Sequence, residues 1–157
     1  MKILCADYGV KTYYRLNKMG LFPSQLLYGA IELEHLGYDV EYFQFSNVQN
    51  ARGIYSDLKC LYTLKYDVLY LPYIRSKAIY ILLFLKFLGL YRCRIIGVQH
   101  KTICGKGFSH MLKKVVYGKI DRIFFHSPLN MKESISSGII SEKRTELLLG
   151  SSIVLLQ

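Results

Sequence analysis

The stretch Cys93-Arg94-Ile95-Ile96-Gly97-Val98-Gln99-His100 decides how this chain is read. It runs into Lys101-Thr102-Ile103-Cys104-Gly105-Lys106-Gly107, a loop rich in glycine and lysine. A short apolar run without a helical repeat predicts a strand covered on both faces, as parallel strands are. In open parallel sheets, ligands bind in the crevice outside the carboxyl ends of the strands. His100 is thereby placed at the centre of any site, with a ring that titrates near neutral pH, and Lys101 and Lys106 are set to meet an anion.

Outward from this strand, the pattern alternates strands with helices. Lys2 to Ala6 predicts a first strand, and the polar, aromatic stretch through Met19 a long loop. Pro23 suits the first turn of a helix, Leu26, Leu27, Ala30, Ile31, Leu33 and Leu36 follow at helical spacing, and Gly37 closes it. Asp39 to Phe45 has strand composition, so the opening resembles half of a nucleotide-binding α/β unit. Ile54, Leu58, Leu61 and Tyr62 predict a helix from about residue 53. Asp67 to Pro72 reads as the next strand, Phe108 to Tyr117 as a helix, and Asp121 to Ser127 as a strand. Pro128 opens a helix that reaches Gly138, and Glu146 to Leu149 is a last strand before Gly150-Ser151-Ser152. The sum is one α/β domain over residues 1–157, a Rossmann-like parallel sheet of about six or seven strands with helices on both faces.

Ala78 to Leu85 is uninterrupted apolar sequence, continuing past Lys86 to Tyr91. Spanning a bilayer takes about 20 apolar residues, so this run is too short. Two readings stand: a helix buried on the sheet, or one that docks partly into a membrane surface, anchored by flanking bases and tyrosines.

Charge is segregated. The formal net charge is +10, yet bases and acids balance from Met1 to Asp67 and again from Asp121 onward. The surplus lies between Val68 and Ile120, which holds Arg75, Lys77, Lys86, Arg92, Arg94, Lys101, Lys106, Lys113, Lys114 and Lys119 without an acid. A one-signed field of this kind favours phosphate, acidic lipid or nucleic acid. No nucleic-acid motif accompanies it, which argues against nucleic acid. Cys5, Cys60, Cys93 and Cys104 match neither zinc spacing nor a short disulfide framework and read as free thiols of a reducing compartment. His35, His100, His110 and His126 show no ligand spacing, so no metal is expected. The apolar start ends at Asp7, too soon for a signal peptide, and a cytoplasmic protein is expected. The G-x-G-x-x-G fingerprint of dinucleotide binding and the G-x-S-x-G elbow of hydrolases are both missing.

With these elements in place, the chain resembles the amino-terminal, acceptor-side lobe of a two-lobed (GT-B) glycosyltransferase, most similar to the retaining family 4 enzymes of cell-surface polysaccharide and glycolipid synthesis. Four markers carry the resemblance: Gly20 with Gly37-Tyr38-Asp39-Val40 around the first helix, the strand ending in His100, the Asp121 to Ser127 strand, and Leu147-Leu148-Leu149-Gly150. Leu21 stands where the family has a second glycine and Tyr38 where it has a histidine.

The resemblance implies that His100 lines the cleft beside the transferred sugar, orienting or polarising rather than attacking. It implies Lys101, Lys106 and Tyr8 as acceptor contacts and Gly20 as the point where donor phosphate meets a helix end. Lys113, Lys114 and Lys119 would face an anionic membrane at the inner side of the cell envelope. The family's donor-binding lobe has no counterpart in these residues, so the chain alone is expected to be inactive: a fragment, a truncated product, or the acceptor half of a split enzyme that works with a separate donor-binding subunit. The substrates implied are a nucleotide-sugar donor and a glycan or lipid-linked acceptor, with no cofactor. The alternative is a basic binding module for anionic membrane or nucleic acid, without catalysis.

Overall fold

The computed structural model describes residues 1–23, 27, 29–47 and 50–148. Its centre is a six-stranded, all-parallel sheet in the order β2-β1-β3-β4-β5-β6. The strands are β1 Lys2–Asp7, β2 Asp39–Gln44, β3 Val68–Leu71, β4 Arg94–Gln99, β5 Arg122–Phe125 and β6 Thr145–Leu147. The helices are α1 Val10–Lys18, α2 Ala30–His35, α3 Ala51–Thr63, α4 Lys77–Phe87, α5 Gly107–Tyr117 and α6 Pro128–Ser136. The α/β class and the Rossmann-like parallel sheet are therefore as the sequence predicts.

Crossovers between parallel strands are right-handed, so direction of travel decides which face a helix covers. From β1 the chain moves outward to β2, putting α1 and α2 on one face; from β2 onward it travels the other way, putting α3 to α6 on the opposite face. Two cores record this. Ile3, Cys5, Val68, Tyr70, Ile96, Val98 and Phe124 pack with Val10, Ala30 and Leu33. Leu4, Ala6, Leu69, Leu71, Ile95, Ile123 and Phe125 pack with Leu61, Leu82, Leu83 and Tyr117. Alternate residues of each strand point to alternate faces, and both faces are apolar.

The stretch after β1 differs from expectation: it is the helix α1, not a loop. Its average composition is polar, but Val10, Tyr13 and Tyr14 share one face. Tyr14 stacks on Tyr42 of β2 at a centroid separation of 4.2 Å. Two tyrosine rings supply the buried stripe that aliphatic residues usually provide. The next helix, α2, follows Gly29 in the left-handed region, and the expected helical positions Ser24 and Leu26 lie outside the described residues. Gly37, at φ +87°, ends α2 as anticipated, with the Tyr38 N–H donating to the Leu33 carbonyl at 3.1 Å. Leu149, the end of the last predicted strand, and Gly150 to Ser152 after it also lie outside the described residues.

α4 is apolar on every side, yet only one side faces the sheet. Ala78, Ile79, Leu82 and Leu83 are buried, while Ile81, Phe84 and Phe87 are exposed. Lys86 is turned inward, where it donates to the Cys93 carbonyl at 2.8 Å and pairs with Asp121. Leu82→Ala is therefore expected to cost about 2–5 kcal/mol of stability by leaving a core cavity. Phe84→Ala, which removes an exposed ring, should cost less than about 0.5 kcal/mol. Urea unfolding of the two variants measures both.

Candidate functional site

The reversal of winding opens a crevice at the carboxyl ends of β1 and β3, the switch point at which doubly wound sheets bind ligands. The loop after β1 leaves toward one face and the loop after β3 toward the other. A row of side chains lines this edge from β1 to β5, and each arrives from the residues just past a strand end.

Asp7, the last residue of β1, is buried at 7% exposure and its carboxylate faces the crevice. Arg75, from the loop after β3, reaches across to it: Nε and Nη2 donate to Oδ1 at 3.2 and 3.0 Å, and Nη2 donates to Oδ2 at 3.1 Å. The guanidinium also lies over the Tyr8 ring at 5.1 Å and the Tyr73 ring at 4.9 Å. Tyr73 in turn stacks on His100, with centroids 4.6 Å apart and planes within 10°. The His126 ring, just past β5, sits 4.7 Å from His100. Tyr8, Arg75, Tyr73, His100 and His126 thus form one unbroken row.

His100 is fixed twice. Its Nε2 lies 3.1 Å from the Pro72 carbonyl. A carbonyl can only accept, so Nε2 carries the proton and Nδ1 is the basic nitrogen of the neutral ring. Its own carbonyl accepts from Asn130 Nδ2 of α6 at 3.1 Å. The loop beyond is pinned to the same helix, since the Ile103 N–H donates to the fully buried Ser134 Oγ at 2.8 Å and Thr102 Oγ1 donates to Glu133 at 2.7 Å. The backbone carrying Lys101 is thus held by α6, and both Lys101 and Lys106 are exposed along it.

Gly97 explains how the β3 loop reaches this edge. A Cβ at that position would stand 2.6 Å from Ile74 Cδ1 and 2.7 Å from its Cγ1. Glycine lets the buried Ile74 lie directly on β4, and Tyr73 and Arg75 flank it. The glycine read from sequence as one more strand residue is what seats the loop.

Of the expected site residues, the structure brings Tyr8 and His100 into one row through Arg75 and Tyr73 and sets Lys101 beside them. Gly20 is elsewhere. It closes α1 at φ +71°, with the Leu21 N–H donating to the Leu16 carbonyl at 2.9 Å, so the helix end it marks presents carbonyls rather than N–H groups. Lys18, two residues before it, pairs with Glu34 at the end of α2, which leads into β2 at the amino edge of the sheet. Gly20 thus lies at the carbonyl end of α1, and the helix start expected after it, from Ser24 to Leu26, lies outside the described residues. Lys113 bends back to donate to the Cys104 carbonyl at 2.5 Å, Lys114 is exposed, and Lys119 lies 5.3 Å over the Phe87 ring.

Sequence reasoning did not single out Asp7, Tyr73, Arg75 or His126 for this edge. The available signal was positional, since each falls at or just beyond the end of a predicted strand. Among the described residues no group of three or more His, Cys, Asp or Glu side chains could hold a metal ion.

Fold and edge together define a Rossmann-like α/β protein whose switch-point crevice is aromatic, imidazole-bearing and rimmed by lysines. No family model matches the chain, and no curated protein matches it.

The His126 imidazole, next to that of His100, is shifted. His126 titrates below the usual 6.5, first because its ring is partly removed from water and second because His100 is beside it. Its folded form binds a proton less readily than its unfolded form, so its share of stability is present above 6.5 and is lost as pH falls through the folded value. His100→Gln removes the second cause. The His126 midpoint, followed by proton NMR, is expected to move back up toward the ordinary value in that variant. Gly97→Ala is expected to lose about 1–3 kcal/mol in urea unfolding, because Ile74 must shift.

Proposed function

We propose that this chain is the acceptor-binding lobe of a nucleotide-sugar-dependent glycosyltransferase of the two-lobed, family 4-like kind, acting on a phosphorylated glycan or lipid-linked acceptor. The observation that carries the reading is the row Tyr8, Arg75, Tyr73, His100 and His126 along the carboxyl edge, with Lys101 at its side. Planar rings at a crevice suit a sugar, whose C–H faces pack on them, and fixed cations suit the phosphate it carries.

Sugar transfer from a nucleoside diphosphate develops positive charge at the sugar and negative charge on the leaving group. A lobe of this kind contributes position and electrostatics. In the proposed arrangement the His100 ring, oriented by Pro72 and Tyr73, orients or polarises the acceptor. Arg75 is held by Asp7, so its remaining donors are presented in one direction. Lys101 and Lys106 receive acceptor phosphate. Donor binding belongs to a second lobe that residues 1–157 do not represent. The one-signed segment from Val68 to Ile120 also supports a non-catalytic reading, a basic module that grips an anionic surface.

The two readings separate in cells that carry the complete system. Transfer of labelled sugar from nucleotide-sugar donors to lipid-linked glycans in isolated membranes is expected to fall about 100-fold with His100→Ala, the low end for loss of a positioned acid or base. Arg75→Gln should lower it with retained secondary structure by circular dichroism. Transfer unchanged in both variants would remove the basis of the transferase reading and leave the binding module.

A further inference from the structure

The outer surface of α4 and α5 is not accounted for by the crevice. Ile81, Phe84, Phe87 and Leu88 of the α4 segment are 39%, 43%, 45% and 51% exposed. Beside them on α5, Phe108, Met111 and Leu112 are 75%, 58% and 47% exposed. Between the two helices runs a groove of about 390 Å³ lined by Tyr80, Ile81, Phe84, Leu112 and Val116, with Lys113 among its walls. A helix that is apolar all round is ordinarily covered all round, and contiguous exposed apolar surface marks an interaction site.

Charge tells what covers it. Lys77 opens α4, Lys114 is exposed on α5, and Lys119 lies over the Phe87 ring, in a stretch of chain without one acid. The solvated α3 face next to α4 adds Tyr55 and Tyr62, 66% and 54% exposed. Apolar and aromatic side chains ringed by bases match the boundary of a bilayer with acidic headgroups, where rings enter the interface and bases meet phosphate. A second copy of this chain fits poorly, because a two-fold contact would set the same lysines against themselves. Among the described residues no helix is long and apolar enough to cross a membrane.

We propose that the α4–α5 face docks this protein on an anionic lipid bilayer, with Phe84, Phe87, Phe108 and Leu112 entering the interface and Lys114 and Lys119 meeting headgroups. Both helices begin at the carboxyl edge of the sheet, so the docked face adjoins the loop that follows His100. The inference does not depend on sugar transfer, because it is read from lipid binding alone.

The test is co-flotation of the full chain with vesicles of phosphatidylcholine alone, or of three parts phosphatidylcholine to one part phosphatidylglycerol. Binding is expected only to the acidic vesicles and should weaken as salt rises. Phe84→Ser with Phe87→Ser, and separately Lys114→Glu with Lys119→Glu, should each lower the bound fraction about tenfold. Leu129→Ser, which alters an exposed leucine on α6, should change nothing. Circular dichroism checks that each variant is folded. No binding to acidic vesicles, or binding unchanged in the Phe84/Phe87 variant, overturns the proposal. So does a concentration-dependent dimer in light scattering that this variant abolishes, which assigns the face to a second copy, or retention of an RNA oligonucleotide in place of vesicles.

Discussion

The handedness of parallel crossovers governs this molecule. Because the link from β1 to β2 runs one way across the sheet and every later link runs the other, α1 and α2 cannot share a face with α3 to α6. The loops after β1 and β3 must then part, and the gap between them is the crevice. Asp7 and Arg75 bridge that gap from its two sides. The carboxylate is nearly buried, so the guanidinium supplies the charge that its lost solvent would have supplied. The pair ties together two loops that the topology drives apart.

From that bridge the rest of the edge follows by contact. Arg75 is sandwiched against Tyr8 and Tyr73, Tyr73 sets the plane of His100, and His100 sets the charge environment of His126. The same loop is seated by Gly97, whose missing Cβ is filled by Ile74. The row thus holds planar rings and oriented nitrogen atoms in fixed positions.

α4 shows the same residues under two different demands. One side is core, with Leu82 and Leu83 wholly buried, and the sheet accounts for it. The other side is just as apolar and meets solvent, where nothing within the domain needs it. Lys86 sharpens the contrast, because this base leaves the surface to pair with Asp121 while Lys119 settles on Phe87. Apolar exposure and cationic side chains therefore meet on one pair of helices.

Much of the fold was legible because parallel strands and their helices carry strong local patterns. Apolar runs at Leu4, Leu69, Ile95 and Ile123 announced the strands, Gly37 and Pro128 marked helix ends, and the uneven charge showed at once. Helix α1 was hidden because its buried stripe is made of tyrosines, whose packing value depends on Tyr42 lying opposite. Gly20 was legible as a chain turn, but that it closes α1 depends on the same tyrosine stripe, which makes the preceding stretch a helix.

His100 could be placed at a strand end from its own neighbourhood. That Arg75 and Asp7 meet, 68 positions apart, could not. By itself the sequence determined the alternation of elements, the cationic segment and the histidine at the edge, since each is a property of adjacent residues. Only the tertiary structure decided the strand order, the crevice and the companions of His100, because these arise where distant loops are brought together by a winding direction that no local stretch encodes.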